Sequence, residues 1–220
     1  KEKLQSYCDL FLPPSQFMAD TCVAGGYDKD KFHVLCNFID LQKVSNPTFK
    51  KKDYYVYLGS LTKVKGIETL CRVAEQLPYK LVVIGGGELE MPLRERYKDA
   101  PIEFLGQKSW SEFRTVLESA RFMVLPSEWS ENNPLTVIEA QALGTPVLGA
   151  RIGGIPELIQ ENVTGMCFTS GDETDLRSKV ESMWSATFSY ETIAQDAQER
   201  YSFESYYTRL MKIYNPRENK

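Results

Sequence analysis

Two carboxylates eight positions apart, Glu131 and Glu139, bracket the stretch ENNPLTVIE. Between them, Asn133 is a good helix N-cap and Pro134 suits a first helical position. The pattern predicts a helix over 134–143, closed by Gly144, whose first amides have no partner inside the helix. Such an end draws anions, a diphosphate above all. Glu131 lies just outside the helix, where phosphate would repel it. It is suited instead to accept hydrogen bonds from the neutral hydroxyls of a sugar. Glu139, about a turn and a half into the helix, can accept two bonds from a vicinal diol such as that of a ribose. Lys65, from an earlier loop, adds a formal positive charge for the phosphates. Together these groups would read a nucleotide sugar. Taken singly, each glutamate is an ordinary charge flanking a helix; the spacing, the Asn-Pro and the lysine loop make the case jointly.

These groups need elements to position them. Apolar runs at 54–58, 80–85, 102–106, 121–127, 146–150 and near 165–169 read as strands. Helical spacing fills 66–77, 88–97, 109–120 and 134–143, then 173–185, 189–199 and 203–214. Continuous apolar strands alternating with helices predict a Rossmann-like parallel α/β sheet with helices on both faces. Ligands of such sheets bind beyond the carboxyl ends of the strands. The loops that should meet there are LGSLTKVKG (58–66), VIGGGELE (83–90), LGQKSWSEF (105–113), PSEWSENNPL (126–135) and RIGGIPEL (151–158). They contain neither a G-x-G-x-x-G fingerprint with its later acid nor a GxxxxGK[ST] loop, which disfavours a simple dehydrogenase or NTPase.

Residues 1–41 hold two further strand-like runs, CDLFLPPS and FHVLCNFID, and read as the end of a separate α/β unit. The polar stretch 42–53, with its Lys50–Lys52 run, reads as a solvated linker. Residues 54–200 form the main domain and 201–220 a last helix and tail. The first residue is Lys and the opening starts inside a pattern, which implies residues upstream. Net charge is -4, which gives no reason to expect nucleic acid. The five cysteines, Cys8, Cys22, Cys36, Cys71 and Cys167, are scattered and read as free thiols of a reducing compartment. No run is long enough to span a bilayer. No cluster has metal-ligand spacing; the acidic run 172–175 suits the first turn of a helix.

The motif Glu131-x7-Glu139, inside LPSEWSENNPLTVIEAQALGTPVLGARIGGIPELI (125–159), resembles the retaining glycosyltransferases of the GT4 family, in the form found in bacterial surface-polysaccharide enzymes. NFID (37–40) resembles the junction between the two lobes of their GT-B fold. The resemblance implies that the chain is the donor-binding C-terminal lobe plus a remnant of the N-terminal lobe. It implies that Glu131 contacts the donor sugar, Glu139 the ribose, and Lys65 with the 133–136 amides (Asn133, Pro134, Leu135, Thr136) the diphosphate, beside Asn132. It places Gly59 and Ser60 on the donor, Gly87, Gly106, Gln107 and Lys108 near sugar-nucleotide and base, and Ser127 near the nucleoside. Glu131 and Lys65 are the residues assigned to catalysis. It further implies a UDP-sugar donor, no cofactor or metal, and a glycan or lipid-linked acceptor held by the other lobe. The setting would be cytoplasmic, with peripheral contact to the inner membrane. Ser60 stands where the family usually has arginine, and Phe38 replaces the junction glycine. His33 is read as structural. A non-catalytic nucleotide-sugar-binding module and a nucleotide-sugar epimerase on the same fold are the alternatives.

Overall fold

The computed structural model describes residues 5–215; the extreme ends of the first and last expected regions lie outside the described residues. Six strands form one parallel sheet: β1 (Tyr54–Leu58), β2 (Lys80–Ile84), β3 (Ile102–Gly106), β4 (Met123–Leu125), β5 (Val147–Ala150) and β6 (Gly165–Phe168). Their order across the sheet is β3-β2-β1-β4-β5-β6. The register runs Val56 beside Val82 on one side and Val56 beside Met123 on the other.

The strands are apolar on both faces because both faces are covered. Tyr55, Tyr57, Leu81, Val83, Val124 and Leu148 point into one core layer, while Val56, Leu58, Val82, Ile84, Met123 and Val147 point into the other. Alternate residues of a strand face opposite ways, so each strand feeds both layers. The first layer is closed by α2 (Ile67–Ala74), α3 (Glu90–Arg96) and α6 (Glu173–Ser185), through Leu70, Leu93 and Val180. The second is closed by α4 (Trp110–Ser119), α5 (Leu135–Ala142) and α7 (Tyr190–Arg200), through Leu117, Ile138 and Ala197. The last helix, α8 (Phe203–Tyr214), follows on Ser202, whose side chain caps the Ser205 amide.

The leading segment departs from the sequence reading. Its two strand-like runs meet at an isolated bridge, Phe11 to Phe32, and at the Leu35 amide, which donates to the Pro13 carbonyl, and form no strand among the described residues. Between them lies a helix not expected from the sequence, α1 (Gln16–Ala24), capped by Ser15. His33, expected to be structural, is exposed and donates its backbone N–H to the Phe11 carbonyl. All five cysteines are free thiols.

The stretch 42–53 is not a solvated linker throughout. Val44 is buried, Thr48 donates its amide to Glu118, and Arg114 reaches the Ser45 carbonyl. Lys51 turns inward, donating to the Glu118 carbonyl at 2.8 Å and the Thr145 hydroxyl at 2.9 Å, with its ammonium 4.7 Å from the Tyr190 ring centre. Of the lysine run, Lys50 and Lys52 face water as expected.

Burial lowers the Lys51 pKa to about 7, and Glu118 only partly opposes it. The unfolded chain should hold that proton up to about pH 10.4. Between these values the unfolded state binds the extra proton, so this residue makes stability rise with pH from about 7 to about 10; below 7 both states are charged and the contribution is flat. Denaturant titrations in steps across that range should show the rise, and Lys51→Met should remove it. Parallel stability curves for the two proteins would refute the assignment.

Candidate functional site

Successive crossovers leave the sheet in opposite directions from its middle. From β1 the chain moves outward to β2 and β3 with α2 and α3 on one face; from β4 it moves to β5 with α5 on the other. The carboxyl ends of β1 and β4 therefore open a crevice between diverging loops, the usual ligand position in such sheets. One wall is Gly59 and Ser60 after β1, and the other is the 126–134 loop after β4.

Gly66 lets the two loops meet. Its φ is +68°, and a Cβ there would lie 1.9 Å from the Pro126 carbonyl oxygen. Only glycine tolerates both the backbone conformation and the approach. The Glu128 amide then donates to the Val64 carbonyl, stitching the loops together. This seats Lys65 directly opposite Glu131, Nζ to Oε1 at 2.5 Å. The same Oε1 accepts the Ser127 hydroxyl at 2.9 Å. Ser127 is fully buried, and its carbonyl accepts from Ser170. Ser127 therefore holds Glu131 from behind the cavity lining rather than standing on it. Tyr57, also buried, lines the same crevice and donates its hydroxyl to the Ser60 carbonyl; burial, aided by Glu131, pushes its pKa far up.

Asn133 does not cap α5. The helix starts at Leu135, with Pro134 in the cap position and no side-chain cap bond. The Asn133 side chain turns instead to the leading segment: its Oδ1 accepts the Asn37 amide at 3.0 Å, and its Nδ2 donates to Cys36 Sγ at 3.1 Å. The Asn37 side-chain amide returns a bond to the Asn133 carbonyl at 3.0 Å. The two asparagines clasp each other across a separation of 96 positions in the chain. This reciprocal pairing satisfies a buried carboxamide that a cap bond would have used only in part. Burial raises the pKa of the Cys36 thiol, which leaves it a neutral packing group.

The amides of Leu135 and Thr136 still open α5 without an intrahelical acceptor. They edge a cavity of about 350 Å3 that also presents Gly59, Ser60, Lys65, Glu131 and Pro134. A second cavity, about 320 Å3, adjoins it at Gly59 and Ser60 and is lined by Gly85, Gly86, Gln107 and Lys108. A third, about 130 Å3, adjoins it at Leu135 and holds Glu139 with Lys43 and Trp110. Glu139 sits one helical turn beyond Leu135 on the same side of α5. Burial raises its pKa, and Lys43 partly opposes this.

Twelve of the fifteen residues singled out in the sequence thus gather on this rim or directly behind it. The structure does not bring in the other three. Gly87 faces the Leu61 backbone, where a Cβ would meet the carbonyl oxygen at 2.6 Å. Gly106 ends β3 beneath Glu90 and Arg94. Asn132 is exposed, with its carbonyl turned to Gly154. Missed from the sequence were Asn37, Tyr57, Gly85 and Gly86 on the lining. The last two were visible as part of the glycine triplet; Tyr57, inside an apolar strand, carried no signal.

The clasp makes a stability prediction. Asn37→Ala and Asn133→Ala should each cost about 1–2 kcal/mol in denaturant unfolding, because each leaves the partner unsatisfied. The double variant should cost clearly less than the sum, because both changes remove the same bonds. Simple additivity would mean that the two side chains do not depend on each other.

Comparison with known proteins follows the same architecture. The family of glycosyl transferases, group 1, matches residues 38–200. Sulfoquinovosyl transferase SQD2 of Arabidopsis thaliana is 29% identical over 214 residues, 89% of this chain and 42% of that protein. The amylovoran biosynthesis glycosyltransferase AmsK of Erwinia amylovora is 29% identical over 184 residues, 74% of this chain and 44% of that one. The chain thus spans less than half the length of these relatives. Among solved structures, the lipopolysaccharide outer core galactosyltransferase WaaB superposes with a TM-score of 0.84 at 18% identity, covering 98% of this chain and 65% of that one. HepE of Anabaena, solved with UDP, gives 0.84 at 17% identity over 96% of this chain and 65% of that one. The Rossmann-like sheet is thereby confirmed as that of GT-B glycosyltransferases. With the family match covering most of its length, the chain belongs to the glycosyl transferases of group 1.

Proposed function

We propose that this chain is the donor-binding portion of a hexosyltransferase that moves a hexosyl group from a nucleotide diphosphate sugar to an acceptor hydroxyl with retention. The observation that carries this is one cavity edged by Lys65, Glu131 and the open amides of α5, with Glu139 in the cavity beside it. The diphosphate would lie on the Leu135 and Thr136 amides and take the Lys65 ammonium. Glu131 would turn its remaining carboxylate oxygen to the sugar hydroxyls, and Glu139 would accept from the ribose diol.

The resting Lys65–Glu131 pair fits this role. The pair holds each charge in place, and a donor would offer both a new partner at once: phosphate for the cation, hydroxyls for the anion. As the bond from the anomeric carbon to the diphosphate oxygen breaks, the charge gathering on the leaving group falls on the amides and Lys65, which are already oriented toward it. The acceptor oxygen bonds to the same face of the sugar, and its proton passes to the departing diphosphate. This route calls for neither a metal nor a protein base. Ser60 offers one hydroxyl where an arginine would clamp phosphate in two places, so among the described residues Lys65 is the one cation lining the cavity that Glu131 shares.

UDP is the proposed nucleotide. Solved neighbours of the fold carry UDP and UDP-glucose, whereas one curated relative, of Corynebacterium glutamicum, is described as GDP-mannose-dependent. The proposed acceptor is a glycan or lipid-linked glycan in polysaccharide or lipopolysaccharide synthesis, in the cytoplasm and peripheral to the membrane. No described helix is long and apolar enough to cross a bilayer.

Titration calorimetry with UDP, GDP, ADP and UDP-glucose tests the reading. One nucleotide diphosphate should bind, and Lys65→Ala and Glu139→Gln should each weaken it by about tenfold or more. Binding that ignores both substitutions, or no binding to any of the four, would remove the donor site from this rim. In the full-length enzyme Glu131→Gln should abolish transfer; in a module that only binds, it should weaken affinity alone.

A further inference from the structure

Behind the crevice, one short turn grips two things at once. It runs from Gly153 through the 3-10 segment Ile155–Leu158 after β5. On one side it holds the backbone of Glu131: the Gly154 amide donates to the Glu131 carbonyl at 2.7 Å. The fit there is tight. A Cβ on Gly153 would lie 2.3 Å from the Glu131 carbonyl oxygen, and one on Gly154 would lie 1.9 Å from that of Asn132. On its other side the turn holds α1. The Glu157 carboxylate accepts the Gln16 amide at 2.8 Å on one oxygen and the Phe17 amide at 2.7 Å on the other. Ser15 takes the next amide, that of Met18, at 3.2 Å. Ser15 is itself buried against Gly154, so the α1 cap and the Glu131 support touch. Ile155 and Leu158 of the same turn are sunk in the core, which denies the turn freedom to shift on one side alone.

We infer that Glu157 is a positioning residue: through the Gly153–Leu158 turn it couples the α1 segment to the placement of Glu131. The inference rests on the donor-site reading only for its consequence, not for the coupling itself. A carboxylate spending both oxygens on the open end of one helix is a charge-assisted contact that the positive end of the helix reinforces. The bonds cross 141 and 140 residues of sequence, so they tie together parts of the chain that nothing local would join. Coupling of this kind is reciprocal. What fixes α1 steadies Glu131, and what occupies Glu131 steadies α1. The leading segment is thus a working part of the crevice, holding the 131–133 loop at Glu157 from one side and at the Asn37 clasp from the other.

Amide hydrogen exchange on the full chain decides the matter, with wild type, Glu157→Ala and Glu157→Gln, each free and with UDP. Without nucleotide, Glu157→Ala should speed exchange at Gln16 and Phe17 and, in step with them, at Gly154, by about tenfold or more, while β1 and β2 hold their protection. Glu157→Gln keeps one acceptor and should show the same pattern at smaller amplitude. With UDP, wild type should gain protection at Gln16 and Phe17, and Glu157→Ala should lose that gain. Faster exchange at Gln16 and Phe17 with Gly154 unchanged would make Glu157 a local cap and overturn the coupling. Should Glu157→Ala loosen the whole sheet, the Glu157→Gln comparison decides by the same criterion. Wild type that fails to bind UDP would count against the donor reading alone, since the nucleotide-free comparison still tests the coupling.

Discussion

The site depends on a close approach between two backbones, at Gly66 and Pro126. Adjacent parallel strands β1 and β4 send their chains to opposite faces, and that divergence opens the crevice. Divergence alone would leave the two loops apart. Because residue 66 lacks a Cβ and takes a left-handed conformation, the Lys65 loop can lie against the loop after β4. The Lys65–Glu131 pair, the Ser127 bond behind it and the cavity edged by α5 all follow from that contact. A side chain at 66 would push the cation away from the carboxylate it faces.

Charge and shape act together on this rim. The open amides of α5 and Lys65 create positive potential at one point, and two carboxylates stand on either side of it. Glu131 is neutralised in advance by Lys65, whereas Glu139 sits in its own smaller cavity with Lys43 as its nearest charge influence. Environment therefore separates two chemically identical side chains: one is held in an ion pair and the other is desolvated.

Much of this was legible in the sequence. The six apolar runs became the six strands, because a sheet covered on both faces needs no polar alternation and leaves an unbroken apolar signal. Of the two glutamates, only Glu139 is placed by local helix geometry; Glu131 lies in the loop before the helix and is held by Lys65, Ser127 and Gly154. Most of the failures were long-range. Asn133 followed the local rule for a helix cap until Asn37 offered more bonds. Ser127 pointed inward to Glu131, which no spacing reveals. Lys51 sat in a run of lysines that reads as solvated, yet Glu118 and Thr145 drew it inside. Helix α1 was missed although Pro13-Pro14-Ser15 marks a helix start; only Ala19 in it is fully buried, so the apolar pattern gave no face.

The asparagine clasp and the Glu157 contact also bear on how the molecule is assembled. Both join residues separated by about a hundred positions or more. Contacts that close such long loops are entropically expensive and form only after the intervening elements have condensed. The strands and helices can reach their places through neighbouring crossovers, but the 131–134 loop is finished only when the leading segment folds back across it. The crevice is then a late product of folding, and its order is borrowed from the far end of the chain. Synthesis from the N-terminus would leave residues 15–37 waiting for their partners until residues 131–157 emerge. During that interval α1 would lack its carboxylate and Asn37 its mate.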